Sequence, residues 1–405
     1  MAFDLDSARE AFESSTDFTV GLEEEFQLLD PASLELVGRF EDLKAAALRD
    51  PVLAESVAGE LISSEIEIRS GPGADFADAV TRQRDRRRRL FALAADAGVR
   101  LGATGTHPLS DYRDQHIIET EHYQRLNEEL RYVAWRNNTW SLHAHVGVRG
   151  ADRAVAVCDR LRPVLPILLA ISANSPYLDQ QDSGLHSARS EIFMRTFPRC
   201  GVPETFGSWA AYADYLDFLD RTRSIVEFTQ VWWSIRPHIG FGTVEVRICD
   251  AQSTAAESEG LAGLIVACVA QAARDEDEGV PLADTPGRLV EENVWRAIRW
   301  GQDGKLIDLE RTEEYPAAQA RARLAKWTAP ARAELGLEIA LPELNGSQRQ
   351  RRLIEGGASR EEVFAAMVRE TVETYAGEVA RSASGYDRPE AERLNQDAGP
   401  EVPQR

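Results

Sequence analysis

Residues 19–30 read TVGLEEEFQLLD, and the fold turns on how that stretch is taken. Its polar and apolar residues alternate with period two up to an Asp-Pro turn, which predicts a strand. Side chains two apart then share a face, with Glu23, Glu25 and Gln27 on one side and Leu22, Glu24, Phe26 and Leu28 on the other. Three further stretches repeat the pattern. Residues 61–69 set Glu65, Glu67 and Arg69 against Ile66 and Ile68. Residues 140–149 set His143, His145 and Arg149 against Leu142, Ala144, Val146 and Val148. Beyond a Pro-His-Ile-Gly turn, residues 242–250 set Thr243, Glu245, Arg247 and Cys249 against Val244, Val246 and Ile248.

A sheet with one dry face and one wet face alternates in this way without any function. An ordinary wet face, however, favours Thr, Lys, Ser and Tyr, with opposite charges placed to pair. These faces hold no Lys and collect Glu, His and Arg instead. Carboxylates gathered together repel one another and raise one another's pKa unless a cation sits between them. Several Glu oxygens with an imidazole suit Mg²⁺ or Mn²⁺. Arg247 shares the face of Glu245, and Arg236 lies in WWSIRP (residues 232–237); each offers a planar fork for phosphate oxygens.

Outside these strands the pattern is mostly helical. Residues 74–97 and 208–223 read as helices. Residues 151–173 read as a helix interrupted by Pro163 and Pro166, residues 99–106 as a strand, and the chain from residue 253 to the tail as almost entirely helix. The basic run at residues 82–90 (RQRDRRRRL) reads as a salt-bridged helix face. Residues 172–207 show no period and are expected to be a long loop, the natural cover for a site. The expected organisation is a lead-in at 1–17, one α+β catalytic domain at 18–384 and a polar, disordered tail at 385–405.

Other classes are excluded more easily. A net charge of −21, from 46 basic and 67 acidic residues, argues against nucleic acid. The longest apolar runs fall short of the roughly 20 residues of a membrane span, and the first residues lack a signal peptide's pattern, so a cytoplasmic location is expected. Cys158, Cys200, Cys249 and Cys268 form no CxxC pair, which speaks against zinc and against a disulfide framework. No P-loop, dinucleotide fingerprint, HExxH or GxSxG occurs.

The strands are also recognisable. GLEEEF (21–26) resembles the opening signature of the type 2 glutamate–cysteine ligases, also called carboxylate–amine ligases. The resemblance continues in LHAHVGV (142–148), SANSP (172–176), ARS (188–190), WWSIRPHIGFGTVEVRICDAQST (232–254) and NVWRA (293–297). It implies a glutamine-synthetase-like fold: a curved antiparallel sheet with a metal-lined concave face, helices on the other face and a helical C-terminal half. By the same resemblance, Glu23, Glu25, Glu60, Glu67, His143 and Glu245 match metal ligands, with Glu65 an alternative to Glu60. Arg236 and Arg247 match catalytic, phosphate-facing arginines. His145, Arg69, Arg189 and Arg199 match positions near nucleotide and substrates. The implied activity is ATP-dependent, Mg²⁺- or Mn²⁺-requiring amide formation through an acyl phosphate. It would join the side-chain carboxylate of glutamate to an amine (cysteine or another), and it leaves room for a homodimer. An amide hydrolase on the same site and a non-catalytic nucleotide-binding relative are the competing readings.

Overall fold

Strand β1 (Val20–Leu29) is the hub of the sheet, because neighbours pair along both of its edges. The computed structural model describes residues 4–283 and 285–377, and the expected tail at 385–405 lies outside them. The remaining strands are Val57–Ala58 (β2), Glu65–Arg69 (β3), Arg100–Gly102 (β4), Ser141–Gly147 (β5), Tyr177–Leu178 (β6), Gln181–Asp182 (β7), Ile235–His238 (β8), Thr243–Asp250 (β9), Lys305–Asp308 (β10) and Glu313–Pro316 (β11). The main sheet runs β2-β3-β1-β5-β9-β8, with β4 against the C-terminal end of β1, and every pairing is antiparallel.

The apolar sides of these strands all meet helices. Leu22, Leu142, Ala144, Val146, Val244 and Val246 join one buried cluster with the helices Ala151–Leu161, Leu165–Ser172 and Ala255–Asp277. Phe26, Leu28, Ile66 and Ile68 join a second with the helix Phe76–Asp96 and Tyr375. Each fully buried Leu, Ile or Val side chain contributes about 1.5–3 kcal/mol. Register is therefore strongly set, since a one-residue slip would turn the carboxylates into this core. The helix Ala255–Asp277 is long and apolar enough to cross a membrane, yet it is 83% buried inside the protein and opens with a Thr254/Glu257 capping box. It is the core helix under β5 and β9.

Glu24 is the exception on the dry face of β1. The buried Arg87 grips it at 2.5 Å through both Nε and Nη2, and Gln83 donates to it at 2.7 Å. The basic run is thus a salt-bridged helix face, with Arg82, Arg84, Arg88 and Arg89 also paired to acids. Arg87 is the member turned inward.

Several expectations need correction. The expected strand at 99–106 shrinks to β4, and the one at 61–69 to β3. The helix at 151–173 is broken by a 3₁₀ turn at Arg162–Val164, where Pro163 removes a backbone donor. Residues 172–207 are no irregular loop. They contain the β6–β7 hairpin and a helix, Ala188–Thr196, capped by Ser187. Among the described residues after 253, the β10–β11 hairpin is the one departure from helices and their connections.

One irregularity shapes the site directly. Between Leu142↔Cys249 and Ala144↔Val246 the β5–β9 register shifts, so β9 carries one extra residue there. The bulge resets the alternation. Cys249 enters the apolar cluster with Leu142, contrary to its expected place on the face of Glu245. Asp250 turns to where it accepts from Asn174 N, Ser175 Oγ and Ser187 Oγ at 2.7–2.8 Å, which anchors the start of the Ala188–Thr196 helix.

Candidate active site

The uncovered face of the sheet forms the floor of a cleft of about 560 Å³. Register lays its charges out in rows. Arg69, Glu23 and His143 stand opposite one another across β3, β1 and β5, as do His145, Glu245 and Arg236 across β5, β9 and β8. Glu25 pairs with Glu67 and Gln27 with Glu65 in the β1–β3 ladder. The period-two reading thus places its carboxylates together.

Two sets of side chains can each bring one ligand atom per residue within 4.8 Å of the others: Glu23, His143 and Glu245, and Glu25, Glu67 and His143. His143 is central to both. Its Nδ1 lies 3.2 Å from Glu23 Oε2, and its Nε2 lies 3.9 Å from Glu25 Oε1 and 2.7 Å from Ser141 Oγ. His145 Nε2 sits 3.4 Å from Glu23 Oε1 and 3.9 Å from Glu245 Oε1. Burial, helped by the charge of Arg247, pushes the His143 pKa down to about 4. At neutral pH it presents a lone pair.

The carboxylates divide electrostatically. Burial pushes Glu67 well above the usual carboxylate range, and the charges of Glu23 and Glu60 push further. Glu65 is raised well above it too, by burial and then by Glu25 and Glu60. Glu25 and Glu60 are raised as well, chiefly by burial. For Glu23 burial acts in the same direction but loses to His145, His143 and Arg69, which hold it well below the range. Glu245 is held low against burial by Arg236 and Arg247. Both oxygens of Glu65 and Oε2 of Glu67 are buried without a hydrogen-bond partner. Buried carboxylate oxygens without donors are costly, and a divalent cation satisfies them. The donor set therefore fits Mg²⁺ or Mn²⁺. Glu60 and Glu65 both line the cleft.

The arginines differ in how free they are. Arg247 bonds Glu245 through Nη1, and its Nε is buried without a partner. Arg69 bonds Glu67 through Nε and is 3.5 Å from Glu23. Arg189 lines the cleft but donates to the carbonyls of Ile248 and Arg247, at 3.2 and 3.1 Å. Arg199 does not line the cleft itself, but it donates to Gln230 O and lies over the ring of Trp232, which does.

His238 escapes the sequence reading, although it follows Arg236 by two on β8 and so shares its face. Its ring stacks on Phe241 at 4.3 Å and meets His145 edge-on at 5.1 Å, and burial pushes its pKa down to about 3. Phe241 is held there by the β8–β9 turn, where Gly242 adopts φ +63°. A Cβ at Gly242 would also come within 2.5 Å of Ala11 O. Also missed is the helix Glu121–Leu130, none of whose residues is buried. It runs along the cleft mouth from rim to rim. Tyr123 donates to Gly59 O on one side, while His122 faces Glu227 at 3.6 Å and Gln230 donates to Glu129 at 3.2 Å on the other. The expected cover, residues 172–207, instead supplies a wall through Arg189, Phe193 and Phe197.

A curved antiparallel sheet backed by helices, with carboxylates and arginines converging on its open face, defines a glutamine-synthetase-like ligase fold. The crystal structure of a glutamate–cysteine ligase from Francisella tularensis in complex with AMP superimposes with a TM-score of 0.63. It shares 12% identity, over 90% of this chain and 91% of that one. A bifunctional glutathione synthetase from Pasteurella multocida gives 0.64, also at 12% identity, over 91% of this chain and 53% of that one. Residues 19–384 match the Glutamate-cysteine ligase family 2 (GCS2), and the chain belongs to that family. A Rubrobacter xylanophilus protein provisionally named glutamate–cysteine ligase 2-2 is 41% identical over 84% of this chain and 88% of its own length. One from Solibacter usitatus, provisionally named glutamate–cysteine ligase 2, is 34% identical over 87% and 93%.

Proposed function

We propose that residues 18–384 form one catalytic domain that joins the side-chain carboxylate of glutamate to an amine in the cytoplasm, at the expense of ATP. The observation that carries this reading is the convergence of six carboxylates, an imidazole and two arginines with unspent donors on one sheet face. Membership in the ligase family supports it.

Glu23, Glu25, Glu60, Glu67, His143 and Glu245 would hold Mg²⁺ or Mn²⁺, with Glu65 able to take the place of Glu60. Bound there, the metal supplies charge neutralisation for phosphate oxygens. Arg247 and Arg69 offer free guanidinium nitrogens to the γ-phosphoryl group and keep it facing the carboxylate. The carboxylate oxygen attacks the γ-phosphorus and ADP leaves. The neutral amine then adds to the acyl carbon, phosphate departs with the bonding pair, and the nitrogen gives up its proton. Positioning and charge neutralisation carry the reaction, so no nucleophilic side chain is required. Water must stay out, because an acyl phosphate hydrolyses readily. The test is incubation with glutamate, ATP and hydroxylamine. A γ-glutamyl hydroxamate formed with stoichiometric ADP, and abolished by EDTA, is the expected result; no hydroxamate would reject the reading.

A further inference from the structure

Between two rungs of the sheet that face the cleft lies one that is gripped from behind. In the β1–β3 ladder Glu23 stands opposite Arg69, Glu24 opposite Ile68 and Glu25 opposite Glu67. Alternation puts the outer rungs on the cleft side and the middle one against the helix Phe76–Asp96. From that helix the buried Gln83 reaches both strands of the middle rung with one nitrogen. Its Nε2 donates to Glu24 Oε2 at 2.7 Å and to Ile68 O at 3.2 Å. One turn on, Arg87 holds both oxygens of Glu24, gives Nη1 to Glu259 Oε1 at 2.8 Å and lies over the Tyr375 ring at 4.9 Å. Ser258 also donates to Glu24. At this residue β1 is therefore tied to two helices and, through Gln83, to β3.

Stability alone does not account for this arrangement. A buried ion pair gains little over apolar side chains of similar volume, and Gln83 keeps its Oε1 buried without a partner. The cleft side supplies a need. Glu25 and Glu67 face each other near Glu23 and Glu60, and carboxylates gathered there repel one another across the β1–β3 pairing. The set Glu25, Glu67 and His143 takes its ligand atoms from β1, β3 and β5, so their closeness depends on how those strands are held. Productive geometry at such a site tolerates only about 0.5 Å.

Resting on the metal-dependent reading above, we propose that Gln83 and Arg87 are positioning residues for the divalent cation, acting through Glu24 from behind the sheet. Neither lines the cleft. By holding Glu24 they set the β1–β3 spacing that lets Glu25 and Glu67 share one cation. The three consecutive glutamates of β1 then divide the work: Glu23 and Glu25 offer oxygens to the cleft, and Glu24 carries the grip that keeps them in place.

Mn²⁺ binding to the full chain reads this without turnover, by calorimetry and by the electron paramagnetic resonance spectrum of the bound ion. Gln83→Leu leaves the grip of Arg87 on Glu24 but removes the bridge to Ile68 O. It is expected to raise the Kd for Mn²⁺ roughly tenfold to a hundredfold and to alter the spectrum, as loss of an outer partner of a metal ligand does. Arg84→Ala removes an exposed contact to Glu259 from the same helix and is expected to change neither. Equal weakening there would trace the effect to the helix as a whole and overturn the assignment. Arg87→Met alone leaves Glu24 buried and unpaired, so the companion variant joins it to Glu24→Leu. That pair removes both charges and is expected to fold and still to bind Mn²⁺ more weakly. In hydroxamate assays the activation constant for Mn²⁺ should rise by the same factor. A lower Tm with an unchanged Kd in Gln83→Leu and in the paired variant would make the cluster structural and overturn the proposal, leaving the ligase reading standing. A wild-type protein that binds no Mn²⁺ overturns it too. Mn²⁺ binding weakened as expected, with no hydroxamate from the wild type, upholds the proposal and removes the ligase reading instead.

Discussion

Arg236 and Glu245 stand opposite each other in the β8–β9 ladder, and the guanidinium grips the carboxylate at 2.5 Å through Nε and 3.3 Å through Nη2. Nη1 of the same arginine holds the carbonyls of Thr229 and Val231, so one side chain ties the 3₁₀ turn Phe228–Gln230 and the residue after it to the sheet. Both residues are buried, at 4% and 1% exposure. Arg247 bonds Glu245 through Nη1 alone and keeps Nε and Nη2 without a hydrogen bond among the described residues.

The two arginines should therefore fail differently. Arg236→Lys breaks a buried pair held by several hydrogen bonds and is expected to cost about 3–5 kcal/mol of stability. Arg247→Lys keeps the charge but loses the fork, and is expected to cost about 2–4 kcal/mol in transition-state stabilisation with little change in Tm. Thermal unfolding and kcat/KM of both variants check this. A normal turnover for Arg247→Lys would make it a structural partner of Glu245.

Metal removal should be visible in stability as well as in activity. Burial and the neighbouring charges of Glu23 and Glu60 raise Glu67 well above its unfolded pKa, so the folded protein binds protons more tightly than the unfolded chain. That contribution is fully present below the unfolded carboxylate pKa and is lost as pH rises through the raised value. At neutral pH the metal-free protein carries the penalty. Mg²⁺ or Mn²⁺ at a hundredfold over Kd is expected to stabilise it by about 2.7 kcal/mol. Glu67→Gln should raise the Tm of EDTA-treated protein and blunt the response to metal. An equal metal response in that variant would take Glu67 out of the site.

A pH dependence remote from the cleft is expected from His107. Burial pushes its pKa down to about 4 against an unfolded value near 6.5; its Nε2 lies 2.8 Å from Leu34 O, and its Nδ1 accepts from Leu109 and Ser110. Between those values the unfolded chain binds a proton that the folded one does not. Its contribution is therefore complete above about pH 6.5 and declines as pH falls to about 4, by about 3 kcal/mol in all. His107→Asn keeps an acceptor for the turn and should flatten this slope in denaturant titrations run across that window. An unchanged slope would mean that other groups carry it.

Isotope transfer tests the route. With ¹⁸O in the glutamate side-chain carboxylate, the acyl-phosphate path carries one labelled oxygen into inorganic phosphate, because the oxygen that attacks phosphorus leaves with it. Mass spectrometry of the phosphate released in a working ligation reads this directly. Unlabelled phosphate would reject the mechanism.

Where strand alternation is regular, the sequence was a good guide. Glu23, Glu25, Glu67, His143, His145 and Glu245 converge because period two and register follow from burying Leu22, Ile66, Ala144 and Val246 on the far side. Legibility ends where one residue breaks the count. The bulge beside Ala144 sends Cys249 inward and Asp250 to the Ser175 and Ser187 hydroxyls, and no local residue preference announces it. Arg236 shows another limit: sequence identifies a guanidinium, but only its surroundings show that all three of its nitrogens already hold bonds. His238 was within reach of the i, i+2 rule, hidden by its place beside a turn. The helix Glu121–Leu130 offers little signal, because its stability does not come from a buried apolar stripe.

That last property sets the timing of the enzyme. A helix with no buried residue, tied to the two rims through Tyr123, His122 and Glu129, is expected to open more readily than the sheet beneath it. Opening of this helix with the sheet intact would separate admission and release from global unfolding. Its backbone amides are expected to exchange with solvent deuterium far sooner than those of β1 or β9, and to slow when ATP and glutamate are bound. If the helix covers the site, loosening its ties, as in Glu129→Ala, should speed product release while raising the phosphate released per amide formed. Turnover and fidelity then trade against each other through a single exposed helix.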